Sequence, residues 1–222
     1  MRSMSLDRFQ ALLLNATGET LYMVLMAALF TVAIGLPVGV LLFLTRPQGL
    51  LPNRAIALLL NTLVNTGRAL PFVVLLIALI PVTRLLVGTT LGSTAAIVPI
   101  TLGAFPFFAR IVENALDEVD RGRIEAVVSM GGTLWHIVSR VLLPEALPAL
   151  VAGITLTIVM LIGFSAMAGV VGGGGLGDLA IRYGYQRFDN QIMAATIVVL
   201  LALVMLIQKL GDRLVRSLAY RR

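Results

Sequence analysis

The sequence predicts an all-α membrane protein with five transmembrane helices, and three observations carry that prediction. The chain of 222 residues is 59% apolar and 13% charged. With a mean hydropathy of +0.98, it holds more apolar surface than one water-soluble core can hide. The apolarity falls in five runs, at about 20–44, 55–81, 91–111, 147–170 and 191–210, each long enough as a helix to cross roughly 30 Å of hydrocarbon. The positive charges lie mostly between and after these runs. A net charge of +6 and a pI near 10.7 therefore reflect membrane topology rather than affinity for nucleic acid.

Ahead of the first run, Arg2, Asp7, Arg8 and Glu19 surround a short apolar patch ending at Leu14, without the apolar core or cleavage site of a signal peptide. This segment reads as a short interfacial helix. The first span contains Pro37 and the third Pro99 and Pro106, which mark kinks, static or moving. In the second span Asn61, Asn65 and Arg68 share one helical face, with Thr62 and Thr66 beside them. That polar stripe either seals helix packing or reaches the cytoplasmic interface, or else it lines a path for a polar solute. In the fourth span Thr157, Met160, Phe164 and Met167 recur at helical spacing with Ser165 adjacent. Soft methionines suit a gate that repacks, and equally an ordinary core or lipid-facing surface.

After the fourth span, GGGGLG at 172–177 satisfies G-x-G-x-x-G literally, but it follows a membrane run instead of a strand. It reads as an irregular turn at the outer mouth, with amides open to water and to close approach by a binding protein. No repeat or polar linker divides the chain, so residues 1–222 are expected to form one domain.

An odd number of spans puts the termini on opposite sides. With the C-terminus inside, the cytoplasmic face holds Arg46, Arg54, Arg110, Arg121, Arg123, Arg140, Lys209, Arg213, Arg216, Arg221 and Arg222. The other face holds Arg2, Arg8, Arg84, Arg182 and Arg187, and Arg68 falls inside a span. The asymmetry places the N-terminus outside.

The largest cytoplasmic loop, about 112–146, then has a structure of its own. Asp120 is placed to cap a helix from Arg121, with Ile124, Val127 and Val128 as its apolar stripe and Gly131 as the left-handed residue that ends it. Thr133 caps a second helix striped by Leu134, Ile137, Val138 and Val141, which Pro144 is expected to end. This helix-turn-helix does not suit DNA. Over 112–148, Glu113, Asp117, Glu118, Asp120, Glu125 and Glu145 outnumber Arg121, Arg123 and Arg140, a net of minus three. From the residues alone it is either a loop packed on its own helices or a docking element for a cytoplasmic protein.

Chemistry on this chain is narrowly bounded. There is no Cys and one His, His136, which excludes disulfides, thiolate metal sites and a Ser-His relay. No G-x-x-x-x-G-K-[ST] is present, so ATP is not expected to bind here. None of the eleven acids lies in a predicted span, which disfavours a secondary carrier with a buried coupling carboxylate.

Glu125-Ala126-Val127, then Gly131, then Val141-Leu142-Leu143-Pro144 keep both spacings of E-A-A, three residues, G, nine residues, I-x-L-P. The loop thus resembles the EAA loop of ABC-importer permeases, with Val127 and Val141 as small apolar departures. Further blocks, GLPVGVLLFLTRP (35–47), AAIVPITLGAFPFFARIVENAL (95–116), LLPEALPALV (142–151), FSAMAGVVGGGGLG (164–177) and GDRLVR (211–216), are similar to the permeases of methionine importers. That resemblance implies a type I importer permease bundle, a multi-pass subunit of the bacterial inner membrane that is not itself an enzyme. It implies a homodimer, two copies of an ATPase subunit that uses ATP and Mg, an extracytoplasmic binding protein, and no metal or cofactor on this chain. Glu125, Ala126, Gly131, Leu134, Leu143 and Pro144 would form the ATPase-coupling loop, driving alternating access for methionine, D- or L-, and related amino acids. The alternatives are another small polar solute within the same class, or a channel or carrier not driven by ATP.

Overall fold

The computed structural model describes residues 6–219, and the secondary structure within them is helical throughout. Arg2, Arg221 and Arg222, assigned above by charge, lie outside the described residues. Helix α1, Leu6–Thr45, runs for 40 residues, about 60 Å and roughly twice the hydrocarbon thickness. The interfacial helix expected before the first span is therefore the N-terminal part of the same helix. Nothing between Leu14 and Glu19 forces a break, and Thr17 Oγ1 bonds back to the Leu13 carbonyl at 2.7 Å. Pro37 sits inside α1 without ending it.

The second expected span is broken. Asn53 caps α2, Arg54–Ala69, by accepting from the amides of Ala55 and Ile56 at 3.1 Å. The chain then bends by 108° into α3, Phe72–Ala78. Pro71 is the cause, because it brings no N–H and forces Leu70 into extended backbone with ψ 130. Helix α4, Ile80–Val87, follows and closes on left-handed Gly88.

Helix α5, Ser93–Asp117, is the central strut, with Ile100, Ala104, Phe108, Val112 and Leu116 wholly buried at four-residue spacing. It meets α1 closely. A Cβ at Gly39 would stand 2.5 Å from the Ala109 carbonyl oxygen, and one at Gly35 would stand 2.8 Å from the Phe108 ring, the small-residue contact by which membrane helices pack. Pro99 and Pro106 are accommodated within α5.

The loop after α5 holds α6, Arg121–Ser129, and the single turn α7, Leu134–His136, which widens into a π-helical stretch over Ile137–Leu142 and then becomes α8, Leu143–Val170. After the glycine turn come α9, Gly175–Leu179, a second wide stretch over Ala180–Tyr185, and α10, Asn190–Ala219. Among the described residues, four helices are long and apolar enough to cross a membrane, and α2 with α3 would make a fifth span if the bent pair counts as one. One buried cluster joins Met23 of α1, Ile100 of α5 and Leu161 of α8. A second runs from Phe108 through Leu116 into the loop, taking in Ile124, Ile137 and Leu142. The outer face of α10 leaves Val198, Leu201, Met205 and Leu206 exposed, a surface suited to lipid.

Candidate functional site

The loop between α5 and α8 is a packed knob. Asp120 accepts from Gly122 N–H at 2.8 Å to open α6, and Gly131 at φ 76 turns the chain after it. Thr133 accepts from His136 N–H to open α7. Ile124, Ile137, Val141 and Leu142 are buried against the bundle. At about 1.5–3 kcal/mol for each fully buried aliphatic side chain, these fix the knob to α5 and α8. Ion pairs Arg46–Asp117 and Arg123–Glu145 tie its base to the ends of α1 and α8.

Pro144 does not end the second helix of the knob, as the sequence had suggested; it sits in the first turn of α8, which grows directly from the knob. The π-helical stretch explains this. Leu143 N–H reaches back five residues to the Val138 carbonyl, and the wider turn makes room for a proline ring that would otherwise crowd the carbonyl of Arg140. The knob and the fourth span are thus one continuous lever, Leu134–Val170.

Of the expected coupling residues, Glu125, Ala126, Gly131 and Pro144 are exposed and Leu134 and Leu143 half-buried. Sequence reasoning missed the apolar face beside them: Val128, Met130 and Trp135 are 51%, 78% and 74% exposed. Val128, read above as part of the buried stripe, points outward. A Trp off the buried stripe of a short loop helix was the available signal.

The polar stripe on α2 divides in two. Arg110 of α5 donates to the side-chain oxygens of Asn61 and Asn65, each at 3.0 Å, and pairs with Glu113. This half seals α2 to α5. Arg68 takes no part in it, and no hydrogen bond, ion pair or ring contact joins it to another described residue. It stands instead at a cavity of about 240 Å³ shared with Gly67, Phe72, Phe107, Met160 and Phe164. Arg68 itself is exposed, in the last turn of α2, where a helix C-terminus returns roughly 0.3–1 kcal/mol to a nearby cation.

The fourth-span candidates divide as well. Met160 and Phe164 line that cavity, and Phe164 stacks on Phe72 of α3 with centroids 3.9 Å apart and planes within 4°. Thr157 and Ser165 are buried and satisfied by the carbonyls of Gly153 and Ile162 at 2.8 Å. Met167 is 45% exposed on another face. Among the described residues no cluster of His, Cys, Asp or Glu could hold a metal ion.

The irregular turn expected at 172–177 forms, and it is a clasp. Gly172, Gly174 and Gly175 take positive φ. The amides of Gly175 and Leu176 donate to Glu19 Oε2 at 2.6 Å and Thr20 Oγ1 at 2.8 Å. Side chains of α1, and not water as expected, satisfy them. Beside the clasp, buried Asp178 pairs with Arg182, and the hydrogen bond between them holds the guanidinium above the usual arginine value.

A family model described as "Binding-protein-dependent transport system inner membrane component" matches residues 35–221. The "Probable D-methionine transport system permease protein MetI" of Vibrio cholerae is 55% identical, with 95% of this chain and 93% of that protein covered. The "Methionine import system permease protein MetP" of Bacillus subtilis is 46% identical, covering 89% of each. A chain from the MetNI methionine ABC transporter, solved in inward-facing conformations, superposes with a TM-score of 0.94 at 48% identity over 97% of this chain and 99% of its own. An amino acid ABC transporter solved with histidines shares the fold, with a TM-score of 0.79 at 19% identity over 95% of this chain and 96% of its own.

Proposed function

Because this chain belongs to the family of binding-protein-dependent transport system inner membrane components, we propose that it imports methionine and related amino acids across the bacterial inner membrane. It is the permease subunit of an ABC importer, and ATP hydrolysis falls to a separate subunit. The observation that carries the substrate is the near-complete superposition, at 48% identity, on a permease chain of a methionine transporter.

The mechanism we read is a lever. A pair of ATPase subunits, using ATP and Mg, receives the knob in a surface cleft, with Val128, Met130 and Trp135 as the apolar contact and Glu125 and Ala126 beside it. Closure of the ATPase pair pulls the knob, and continuity from Leu134 to Val170 carries that pull to the Phe72–Phe164 stack between α3 and α8. Two copies of the chain, opening together, alternate access to the path. On the outer face an extracytoplasmic binding protein delivers the solute, and Tyr185 and Phe188, 67% and 78% exposed before α10, suit such a contact. The orientation rests on the charge asymmetry. A cytoplasm-dependent reporter should work after Arg222 and fail at the N-terminus.

A carrier driven by protons or sodium has less support. Helices α1 and α5 include Glu19 and Glu113, which the expected spans left out, but both are engaged, one by the Gly175 amide and the other by Arg110. The substrate assignment is tested by uptake of labelled methionine into vesicles holding the permease, its ATPase and its binding protein. Unlabelled methionine should abolish uptake, while histidine and glycine betaine should spare it. Transport of one of those competitors in place of methionine would keep the importer and remove the methionine assignment.

A further inference from the structure

Two arginines of the α2–α5 region meet opposite fates. Arg110 has Asn61, Asn65 and Glu113. Arg68 has no partner among the described residues. It lies 14 positions after Arg54 on α2, about 21 Å along the axis, exposed at the bend of a helix pair that together is apolar enough to form a broken membrane span. A cation within a membrane span faces a partner or a water-filled cavity, and Arg68 lines a cavity of about 240 Å³.

The rest of that cavity is chemically one-sided. Phe72, Phe107, Met160 and Phe164 give it an apolar, aromatic wall, and no acidic side chain lines it. At the bend Pro71 brings no N–H for the carbonyl of Gly67, which shares the lining. One fixed positive charge, an open carbonyl edge and aromatic faces together match a zwitterion with an apolar side chain. Its carboxylate meets the guanidinium fork, its ammonium meets the ring faces and the carbonyl edge, and its side chain meets Met160.

We infer that Arg68 is the carboxylate contact of a transient amino-acid subsite at the α2–α3 bend, inside the translocation path. The inference rests on the import reading above and adds to it a specific residue and charge. Closure of the Phe72–Phe164 stack shuts the subsite on one side, so occupancy is coupled to movement of α8 against α3.

The test has two arms. In vesicles with ATPase and binding protein, Arg68→Gln should lower methionine uptake at least tenfold and Arg68→Lys by less than threefold, with co-purifying ATPase as the control for assembly. In nanodiscs holding only the permease and ATPase, the fluorine line of trifluoromethionine should broaden more than that of its primary amide. Arg68→Gln should erase that difference. Equal broadening of acid and amide by the wild type would overturn the inference without reliance on any variant. So would acid broadening unchanged by Arg68→Gln, which would assign the cation to a lipid phosphate or to its own helix end. Wild-type vesicles that take up no methionine would instead overturn the methionine assignment on which the inference rests, whereas uptake that ignores Arg68→Gln overturns the subsite alone.

Discussion

The Glu19 carboxylate of α1 accepts a hydrogen bond from the backbone N–H of Gly175 at 2.6 Å, joining positions 156 residues apart. With Thr20 and the Leu176 amide beside it, this clasp locks the glycine turn after α8 onto the first helix. Glu19→Ala should leave a buried donor unpaired and cost about 1–3 kcal/mol, seen as a lower melting temperature of the purified permease. Glu19→Gln retains an acceptor and should lose less than half as much. Equal melting of wild type and Glu19→Ala would show the clasp to be incidental.

Gly131 turns the knob at φ 76, and no atom lies within 4 Å of where its Cβ would stand. Substitution is therefore opposed by backbone strain alone, about 1–2 kcal/mol for a residue with a branched side chain. Gly131→Val should insert normally yet import poorly, while Gly131→Asn, tolerant of that backbone, should stay near wild type. Paired measurements of uptake and ATP hydrolysis in vesicles would reveal it. Full import by Gly131→Val would leave the turn without a coupling role.

Trp135 is 74% exposed, so Trp135→Ala removes little from the fold. Its melting temperature should match that of wild type. As a central apolar anchor of the ATPase contact it should nonetheless be worth about 2 kcal/mol or more, roughly 30-fold in affinity. Titration of the ATPase onto the permease in nanodiscs measures this, and unchanged affinity would place the contact elsewhere.

The sequence was readable where local rules act alone. Asp120, Gly131 and Thr133 announced the knob because capping and left-handed turns are written in one or two residues. Hydropathy found the apolar runs, since a bilayer imposes length and composition on each segment independently. What stayed hidden depends on partners far along the chain. Pro71 was the visible mark of the broken span, but a continuous apolar run masked it. The separation of Arg68 from Asn61 and Asn65 needed the position of Arg110, which only the packing of α5 on α2 supplies. The clasp needed Glu19 and Gly175 brought together across most of the chain. Pro144, a breaker by local rules, was overruled by a π-helical stretch that no periodicity discloses.

The most direct test of ATP-driven import through this chain is the energy dependence of methionine accumulation in vesicles holding the permease, its ATPase and its binding protein. ATP supplied on the ATPase side should drive accumulation above the external concentration. Adenosine diphosphate should not replace it, and neither a protonophore nor removal of sodium should reduce it. Accumulation that persists without ATP, or collapses when the proton gradient is discharged, would contradict the account and restore the secondary carrier.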